Sequence, residues 1–487
     1  MSYLLAIDQG TTSTRCVVYD QKLNIIKSEQ QEYSLLYPED GWVEVDPSEL
    51  LKSVYETLDP ILNESFKIEC VGITNQRETT LVWDSESGET IYNGIVWQDR
   101  RTANFCSSLK DQNLESIITQ KTGLLLDPYF SATKISWILE NIDGARAKAA
   151  EGKLRFGTVD TFLLWHLSDR QIHKTDITNA SRTNLFNINT LQWDQELLDI
   201  FNVPLSMLPV VCSSDDKFGS LVRNGCDIPI TGMIGDQQSA LVGQECFERG
   251  DMKATFGTGC FLMVNSGPKP QISKTGLLST VGYQLDGNIN YALEGSIFSA
   301  GTTIQWLGDN MQFFNDSKSS IDLLSSSGQS NGVIFIPAFS GMGAPHWNAS
   351  VRASFYGITR DTSKQDIVTA GFKALIYQVM DIRDALSEDG INIKNLAIDG
   401  GMATNEKFCQ LLADFLGLNI RVPASTESTA SGAAMTAGIG HGIFSPTKTL
   451  LESSSQSSIY KPRESIFSNA DLEEWRKFLK VLMQTYS

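Results

Sequence analysis

The side chains best suited to chemistry sit where apolar runs stop. Leu4 to Asp20 reads as an apolar run, a polar turn with one glycine and four hydroxyls, and a second apolar run, the pattern of a β-hairpin. Gly10 lets the backbone approach a ligand, and Thr11, Thr12, Ser13 and Thr14 offer N–H groups and hydroxyls to phosphate oxygens. Asp8 leaves the strand end as a carboxylate suited to Mg²⁺, and Arg15 adds a nearby cation. A lone turn of this kind is more simply a hairpin whose Asp and Thr satisfy their own backbone. Here the pattern returns: Ala254 to Val264 is again strand, Gly257-Thr258-Gly259 turn, strand. Two phosphate-type hairpins, one opening each half, predict duplicated domains facing each other across a cleft.

Three further stretches end in chemistry. Asn75-Gln76-Arg77-Glu78 follows the apolar Cys70 to Thr74, at the strand end where open α/β sheets collect ligands. The alternative is a surface Arg77–Glu78 ion pair of little energetic value. Ile228 to Ile234 runs into Gly235-Asp236-Gln237-Gln238 and then small residues, which reads as strand, turn, helix. At that helix start Asp236 is stabilised as the anion and can accept a proton or face a metal, although an N-cap would ask for the same residue. Leu396 to Asp399 leads through Gly400-Gly401 into a helix with Phe408, Leu411, Leu412 and Phe415 inward, the glycines letting a flat ring or ribose lie against the backbone.

These groups need a scaffold that brings strand ends together. After the first hairpin, Ile25 to Glu29 reads as a third strand, and a helix follows with Asp46 as N-cap and Pro47 at its first position. Leu50, Leu51, Val54, Leu58 and Ile61 mark its apolar face, and Cys70 to Thr74 is a buried strand. The order β-β-β-α-β, closed by a right-handed crossover, is the opening of a ribonuclease-H-like α/β unit. Thr79 to Trp83 and Thr90 to Trp97 predict a strand pair around an Asp84 to Gly88 turn, with Trp97 either core or ligand clamp. Tyr129 to Asn141 begins a helix with Lys134 and Trp137 one turn apart. Ser317 to Asn331 and Ser453 to Ser458 read as loops, and Asn469 caps a C-terminal amphipathic helix carrying Leu472, Trp475, Leu479 and Leu482.

Bulk properties narrow the function. The 487 residues call for two or three domains, and 41% apolar with 20% charged residues is the make-up of a globular enzyme without a bilayer-crossing run. No signal peptide or transit segment is expected before Leu4. A net charge of −18 disfavours nucleic acid and anionic membranes, so a nucleotide must be held by local donors and a metal. Eight dispersed cysteines and four dispersed histidines argue against disulfides, zinc and redox centres and fit a reducing cytosol. P-loop, Rossmann, protein-kinase, nucleophile-elbow and HExxH motifs are absent.

Taken together, Asp8 to Arg15, Gly72 to Thr79, Tyr129 to Asn141, Gly235 to Gln238, Phe256 to Phe261 and Asp399-Gly400-Gly401 resemble the FGGY carbohydrate kinase family, of the actin/Hsp70/hexokinase-like fold, nearly end to end. Asn75-Gln76-Arg77-Glu78 is similar to the glycerol-specific members rather than the pentulose kinases. The resemblance implies an α/β protein of two ribonuclease-H-like (actin-like ATPase) domains flanking a deep cleft, divided as 1–245 and 246–487. It implies ATP-dependent, Mg²⁺-assisted phosphorylation of glycerol, in the cytoplasm, with room for a homodimer or homotetramer and no nucleic-acid or membrane partner. Arg77, Glu78, Tyr129, Asp236 and Gln237 match the residues that hydrogen-bond glycerol, and Trp97 and Phe261 the aromatic pair around its carbons. Asp236 matches the catalytic base, and with Asp8 the metal-associated carboxylates. Thr11, Thr12, Ser13, Arg15, Gly257, Thr258, Gly301, Gln305, Gly401 and Asn405 match the ATP side.

Two other readings compete: a sister kinase for another polyol or ketose, and a non-catalytic, nucleotide-switched binding protein of the actin type. The second keeps the hairpins but not the glycerol set. One departure from the resemblance lies at Ala370-Gly371-Phe372-Lys373, in place of the usual Leu-Glu-bearing segment. Another concerns regulation. Some bacterial members bind fructose 1,6-bisphosphate on a glycine-rich loop with an arginine, or are phosphorylated there on histidine by a sugar-transport phosphocarrier. Here Phe218 to Ile228 is short, holds only Gly219 and Gly225, and no histidine lies between Val210 and Ile234. Indifference to both effectors is the expectation.

Overall fold

The computed structural model describes residues 2–325, 328–423, 427–445, 457–463 and 469–486. Two sheets dominate. The first has six strands in the spatial order Gly219–Arg223, Cys226–Gly235, Ile68–Asn75, Tyr3–Gln9, Ser13–Tyr19, Ile25–Glu32. Tyr3–Gln9 pairs antiparallel with Ser13–Tyr19 and parallel with Ile68–Asn75, which pairs parallel with Cys226–Gly235. The β-β-β-α-β expectation holds, with helix Pro47–Leu62 capped by Asp46 and burying Leu50, Val54, Leu58 and Ile61. The third strand runs three residues past the expected Glu29.

The second sheet has the order Leu278–Leu285, Asn288–Ile297, Cys260–Gly267, Asp251–Phe256, Asn395–Asp399, Ile420–Val422, Ser458–Tyr460. Its hairpin again pairs antiparallel within itself and parallel with the next central strand. Asn288–Ile297 takes the place that the third strand holds in the first sheet, and Leu278–Leu285 is added outside it. The duplication is therefore one of topology, extended by a strand.

Helix Ser428–Gly440 comes from the second half of the chain yet packs on the first sheet and on helix Asp236–Gly243. Gly72 and Gly232 permit this approach. A Cβ on Gly72 would stand 2.1 Å from the Ala433 carbonyl oxygen, and one on Gly232 2.5 Å from the Ala437 nitrogen.

Local expectations differ in four places. Leu81–Asp84 pairs with Leu154–Gly157, and Gly94–Ile95 with Glu44–Val45, so the expected strand pair survives only as the bridges Trp83↔Thr90 and Thr80↔Ile95. Long-range strands claim these edges, which local pattern does not encode. Ser317 to Asn331 is not all loop: Ser317–Leu323 is helical because Asp316 accepts from the Ser319 N–H at 2.7 Å. The second Ser-rich stretch lies largely outside the described residues, and Ser458 opens an edge strand. Helix Asn469–Thr485 includes Asn469 as its first residue, with Leu472, Trp475 and Leu479 buried. Lys373, in the segment that departs from the family pattern, is buried and pairs with Asp471 of that helix at 2.8 Å, a packing role. Among the described residues no helix is long and apolar enough to cross a membrane, and all eight cysteines are free thiols.

Candidate active site

Three strand ends of the first sheet meet at one edge, since Gln9 and Gly235 both sit opposite Asn75. That register puts Asp8, Arg77-Glu78 and Asp236 in one neighbourhood. Asn75 and Gln76 have structural work. Asn75 exchanges hydrogen bonds with Asn179, while Gln76 Nε2 donates to Gln9 Oε1 at 3.2 Å, the Gly10 carbonyl at 3.1 Å and Tyr33 Oη at 3.1 Å, bracing the first hairpin.

Arg77 and Glu78 are not a surface pair: they are 3% and 1% exposed. Glu294, from the second sheet, grips Arg77 bidentately, Oε2 accepting from Nη1 at 2.6 Å and Oε1 from Nη2 at 3.1 Å. Arg77 Nη1 also donates to Gln238 Oε1 at 3.1 Å, and its Nε faces Asp236 Oδ1 at 3.3 Å and Glu78 Oε1 at 3.8 Å. Glu78 accepts from Arg182 Nε at 2.6 Å. Burial would raise Glu294, but Arg182 and Arg77 outweigh it and hold the carboxyl at about 2. Breaking such a buried pair by removing one partner costs about 3–5 kcal/mol.

Glu78 adopts φ +60°, in the left-handed region a β-carbon disfavours. Its carbonyl is held there by Ser131 Oγ at 3.0 Å and Lys134 Nζ at 3.4 Å, and Lys134 also donates to the Tyr129 carbonyl at 2.6 Å. Helix Ser131–Asn141 thus supports the turn. Burial pushes the Lys134 ammonium down to about 8.

Asp236 is the first residue of helix Asp236–Gly243, with Gly235 as N-cap, so the capping role is not its own. Its side chain is 28% exposed. Burial raises its pKa above the ordinary carboxylate range, against the pull of Arg77 and Lys253. Gln237 accepts a hydrogen bond from the buried Lys253, which reaches Thr255 Oγ1 at 3.1 Å as well. Trp97 lies edge-on to Tyr129 at 5.6 Å and to Phe261 at 6.3 Å, and its indole N–H donates to Thr11 Oγ1 at 3.0 Å. The three rings form an apolar wall that touches the first hairpin.

Asp8 has a pKa pushed up to about 7, by burial first and then by the charge of Asp236, with Arg15 opposing. Arg15 is engaged by Glu427 across the cleft and by Gln30 at 2.9 Å. On the other side, Gly257, Thr258, Gly301, Gln305, Gly401 and Asn405 all line one cavity of about 500 Å³. Thr11, Thr12, Ser13 and Arg15 lie on the first hairpin, outside that lining. Ile304, Phe314, Phe372 and Met402 supply apolar walls to the cavity, Ser320 comes from the segment read as loop, and Asp316 lies just before it.

Sequence reasoning missed Glu294, Arg182 and Lys253, and gave Gln238 no role of its own within the Gly235-Asp236-Gln237-Gln238 motif. The available signal was charge out of place: Glu294 and Lys253 each interrupt an apolar strand.

Residues 3–243 match the FGGY family of carbohydrate kinases, N-terminal domain, and residues 252–441 its C-terminal domain. A glycerol kinase of Alteromonas mediterranea is 49% identical over 95% of this chain and 95% of its own, and glycerol kinase 1 of Pseudomonas aeruginosa is 49% identical over 91% of each. Among solved structures, Plasmodium falciparum glycerol kinase with ADP superposes with a TM-score of 0.93 at 35% identity, covering 100% of this chain and 98% of that one. A xylulose kinase from Lactobacillus acidophilus, at 22% identity, 100% and 97% coverage and a TM-score of 0.86, shares the fold. With both domains matched in order and near half the residues kept along the length of such relatives, this chain belongs to the FGGY family of carbohydrate kinases.

Proposed function

We propose that this chain transfers the γ-phosphoryl group of ATP to glycerol, giving sn-glycerol 3-phosphate, with residues 1–245 as the polyol half and 246–487 as the nucleotide half. The observation that carries the reading is the junction at Arg77, where Glu78 and Asp236 flank one guanidinium beside the Trp97, Tyr129 and Phe261 rings. A small polyol has hydroxyls for the charged groups and carbons for the rings. The glycerol kinases at 49% identity support the choice of glycerol over a pentulose.

A primary alcohol is a weak nucleophile at neutral pH, so Asp236 takes the proton of the attacking hydroxyl as the phosphoryl group leaves ADP. A carboxylate with a raised pKa is a better base than an ordinary one, and the Arg77 Nε beside it keeps the anion accessible. Arg77, Glu78, Tyr129 and Gln237 orient glycerol. Thr11, Thr12, Ser13 and Arg15 receive phosphate oxygens, the last by exchanging Glu427 for the nucleotide. The 500 Å³ cavity takes the nucleoside, with Gly401 and Asn405 at the base and ribose.

The donor set fits Mg²⁺. The charge of Asp236 adds to burial in raising the Asp8 pKa, a repulsion that a cation held by these carboxylates would relieve, and Mg²⁺ typically takes one or two carboxylates plus phosphate oxygens. When bound, the ion neutralises charge on the phosphates. Water is as competent an acceptor as glycerol, so closure of the two halves over both substrates belongs to this reading. So do a cytoplasmic location, consistent with eight free thiols, and assembly as a homodimer or homotetramer.

Initial rates over a polyol and ketose panel, read as ADP release, test the assignment. Glycerol should give the highest kcat/KM. Faster turnover of a ketopentose, or equal ADP release without acceptor, overturns it.

A further inference from the structure

Arg77 and Glu78 do not stand alone beneath the cleft. Arg77, Glu294, Arg182 and Glu78 form a closed ring of alternating charge, all between 0% and 3% exposed. Its edges are Arg77 to Glu294 at 2.6 and 3.1 Å, Arg182 Nη2 to Glu294 Oε1 at 3.1 Å, Arg182 Nε to Glu78 Oε1 at 2.6 Å, and Glu78 to Arg77 at 3.8 Å. Two positive and two negative charges cancel inside it. Glu294 Oε1 serves both guanidinia, so it is the shared corner.

The ring orients what faces the ligand. Glu294 and Gln238 occupy Nη1 and Nη2 of the Arg77 guanidinium, and Nε lies 3.3 Å from Asp236 Oδ1 and 3.8 Å from Glu78 Oε1. Arg182 occupies Glu78 Oε1 and leaves Oε2 for a hydroxyl; among the described residues none donates to it. Burying four charges is expensive unless they are held in one geometry, and apolar residues of similar volume would pack as well. The ring also joins the two halves. Glu294 lies on Asn288–Ile297 of the second sheet, whereas Arg77, Glu78 and Arg182 precede residue 245. Next to it, Ser181 Oγ meets Thr280 Oγ1 at 2.9 Å across the same junction.

We propose that Glu294 and Arg182 are positioning residues for the polyol subsite, fixing Arg77 and Glu78 so that glycerol recognition depends on the second half being docked against the first. The proposal rests on the reading of Arg77 and Glu78 as glycerol contacts. A structural tie alone would lower stability and disturb both substrates together.

The test is a double-mutant cycle of Glu294→Gln and Arg77→Gln, followed by glycerol KM, ATP KM and thermal unfolding. Losing a charge-assisted hydrogen bond at this site should raise glycerol KM by about ten- to a hundredfold in Glu294→Gln, with ATP KM unchanged. In the Arg77→Gln background Glu294→Gln should add less than it does in the wild type, because the part of its action that runs through Arg77 is already removed and only the part through Arg182 and Glu78 remains. Additive effects, parallel rises in both KM values, or an unchanged glycerol KM in Glu294→Gln overturn the positioning role. An unchanged glycerol KM in Arg77→Gln overturns the glycerol reading of Arg77 itself, and the proposal with it. If Glu294→Gln does not unfold cooperatively, Arg182→Lys, which keeps the charge but loses the planar fork, carries the same outcomes for glycerol against ATP.

Discussion

The two sides of the cleft are built from different materials. On the proposed polyol side the working surface is side chain: guanidinium, carboxylate and ring, each fixed by another buried side chain. On the proposed nucleotide side it is largely backbone, the Gly257-Thr258-Gly259 turn and the bare Gly301 and Gly401 at a cavity, with the first Gly/Thr turn outside its lining. The turns themselves close differently. Gly10 N–H donates to the Ser13 carbonyl at 2.9 Å and the turn is braced by Gln76, whereas Gly257 N–H donates to the Gly259 carbonyl at 2.9 Å and the turn is braced by the backbone N–H groups of Ala300, Gly301 and Thr302. A side-chain site discriminates by which functional group is present, and a backbone site by which space is left empty. Substitutions of opposite kinds should therefore damage the two sides.

The largest effect belongs to the side-chain side. Asp236→Asn keeps volume and removes the base, and kcat should fall about a hundred- to ten-thousand-fold with ATP affinity retained. Because burial raises Asp236 above the ordinary carboxylate range, wild-type kcat should decline as pH falls through that raised pKa, the protonated acid being unable to accept a proton. The residual rate of Asp236→Asn should lack this acid limb. Near-normal turnover in the variant would remove Asp236 from the reaction.

The backbone side should respond to added carbon. A Cβ on Gly301 would lie 2.5 Å from the Gly257 carbonyl oxygen, so Gly301→Ala must displace the second hairpin and should lower Tm. Among the described residues, no heavy atom outside Gly401's own turn lies within 4 Å of a Cβ on it. Gly401→Ala should leave Tm and glycerol KM unchanged and raise ATP KM about tenfold, the methyl occupying space meant for the nucleotide. An unchanged ATP KM would mean that the nucleotide does not lie against Gly401.

The same division explains what was legible in the sequence. Glycines and threonines at strand ends announce a backbone site locally, so both hairpins and Asp399-Gly400-Gly401 stood out, and the six residues of the second half proposed for the nucleotide line one cavity. Arg77, Glu78 and Asp236 were visible as polar groups at strand ends. Their partners were not, because Glu294 and Arg182 lie 217 and 105 positions from Arg77 and nothing local pairs them. The helix from Ser317 was hidden by serine-rich composition, which the Asp316 cap overrides. Strand partners of Leu81–Asp84 failed for the same reason as the ring: they are decided at long range.

Asp8 stands on the seam, a side chain at the tip of a backbone site. Its folded pKa of about 7 lies above the ordinary 3.8, so the fold binds its proton more tightly than the unfolded chain does. Stability is then lost as pH rises between those values, and the ionised carboxylate is a burden above pH 7. Asp8→Asn should raise Tm by about 1–2 °C at pH 8 for each kcal/mol relieved, a gain that shrinks toward pH 5, while turnover falls because the proposed metal ligand is gone. Equal melting of both proteins at pH 8 would show that the Asp8 charge is already compensated without metal.

The smallest effect expected is none, at a third Gly-containing turn. Gly219–Arg223 and Cys226–Gly235 close through Asn224 and Gly225, with φ 52° and 78°, a two-residue hairpin whose flanking residues Arg223 and Cys226 are paired in the ladder. No loop is left to fold its N–H groups into a nest. Arg223 packs 3.8 Å above the Tyr55 ring and donates through Nη2 to Asp59 Oδ2 at 2.7 Å. That half-exposed ion pair is worth about 0–1 kcal/mol and would not by itself stop an anion from recruiting the guanidinium. The missing donors would, together with the carboxylates of Asp59 and Asp227 beside it. Initial rates should thus be unchanged by fructose 1,6-bisphosphate, in the wild type and in Arg223→Ala alike. Strong inhibition that disappears in Arg223→Ala would show that a turn without a nest still binds a bisphosphate, and the contrast between side-chain and backbone sites would then fail at this third turn.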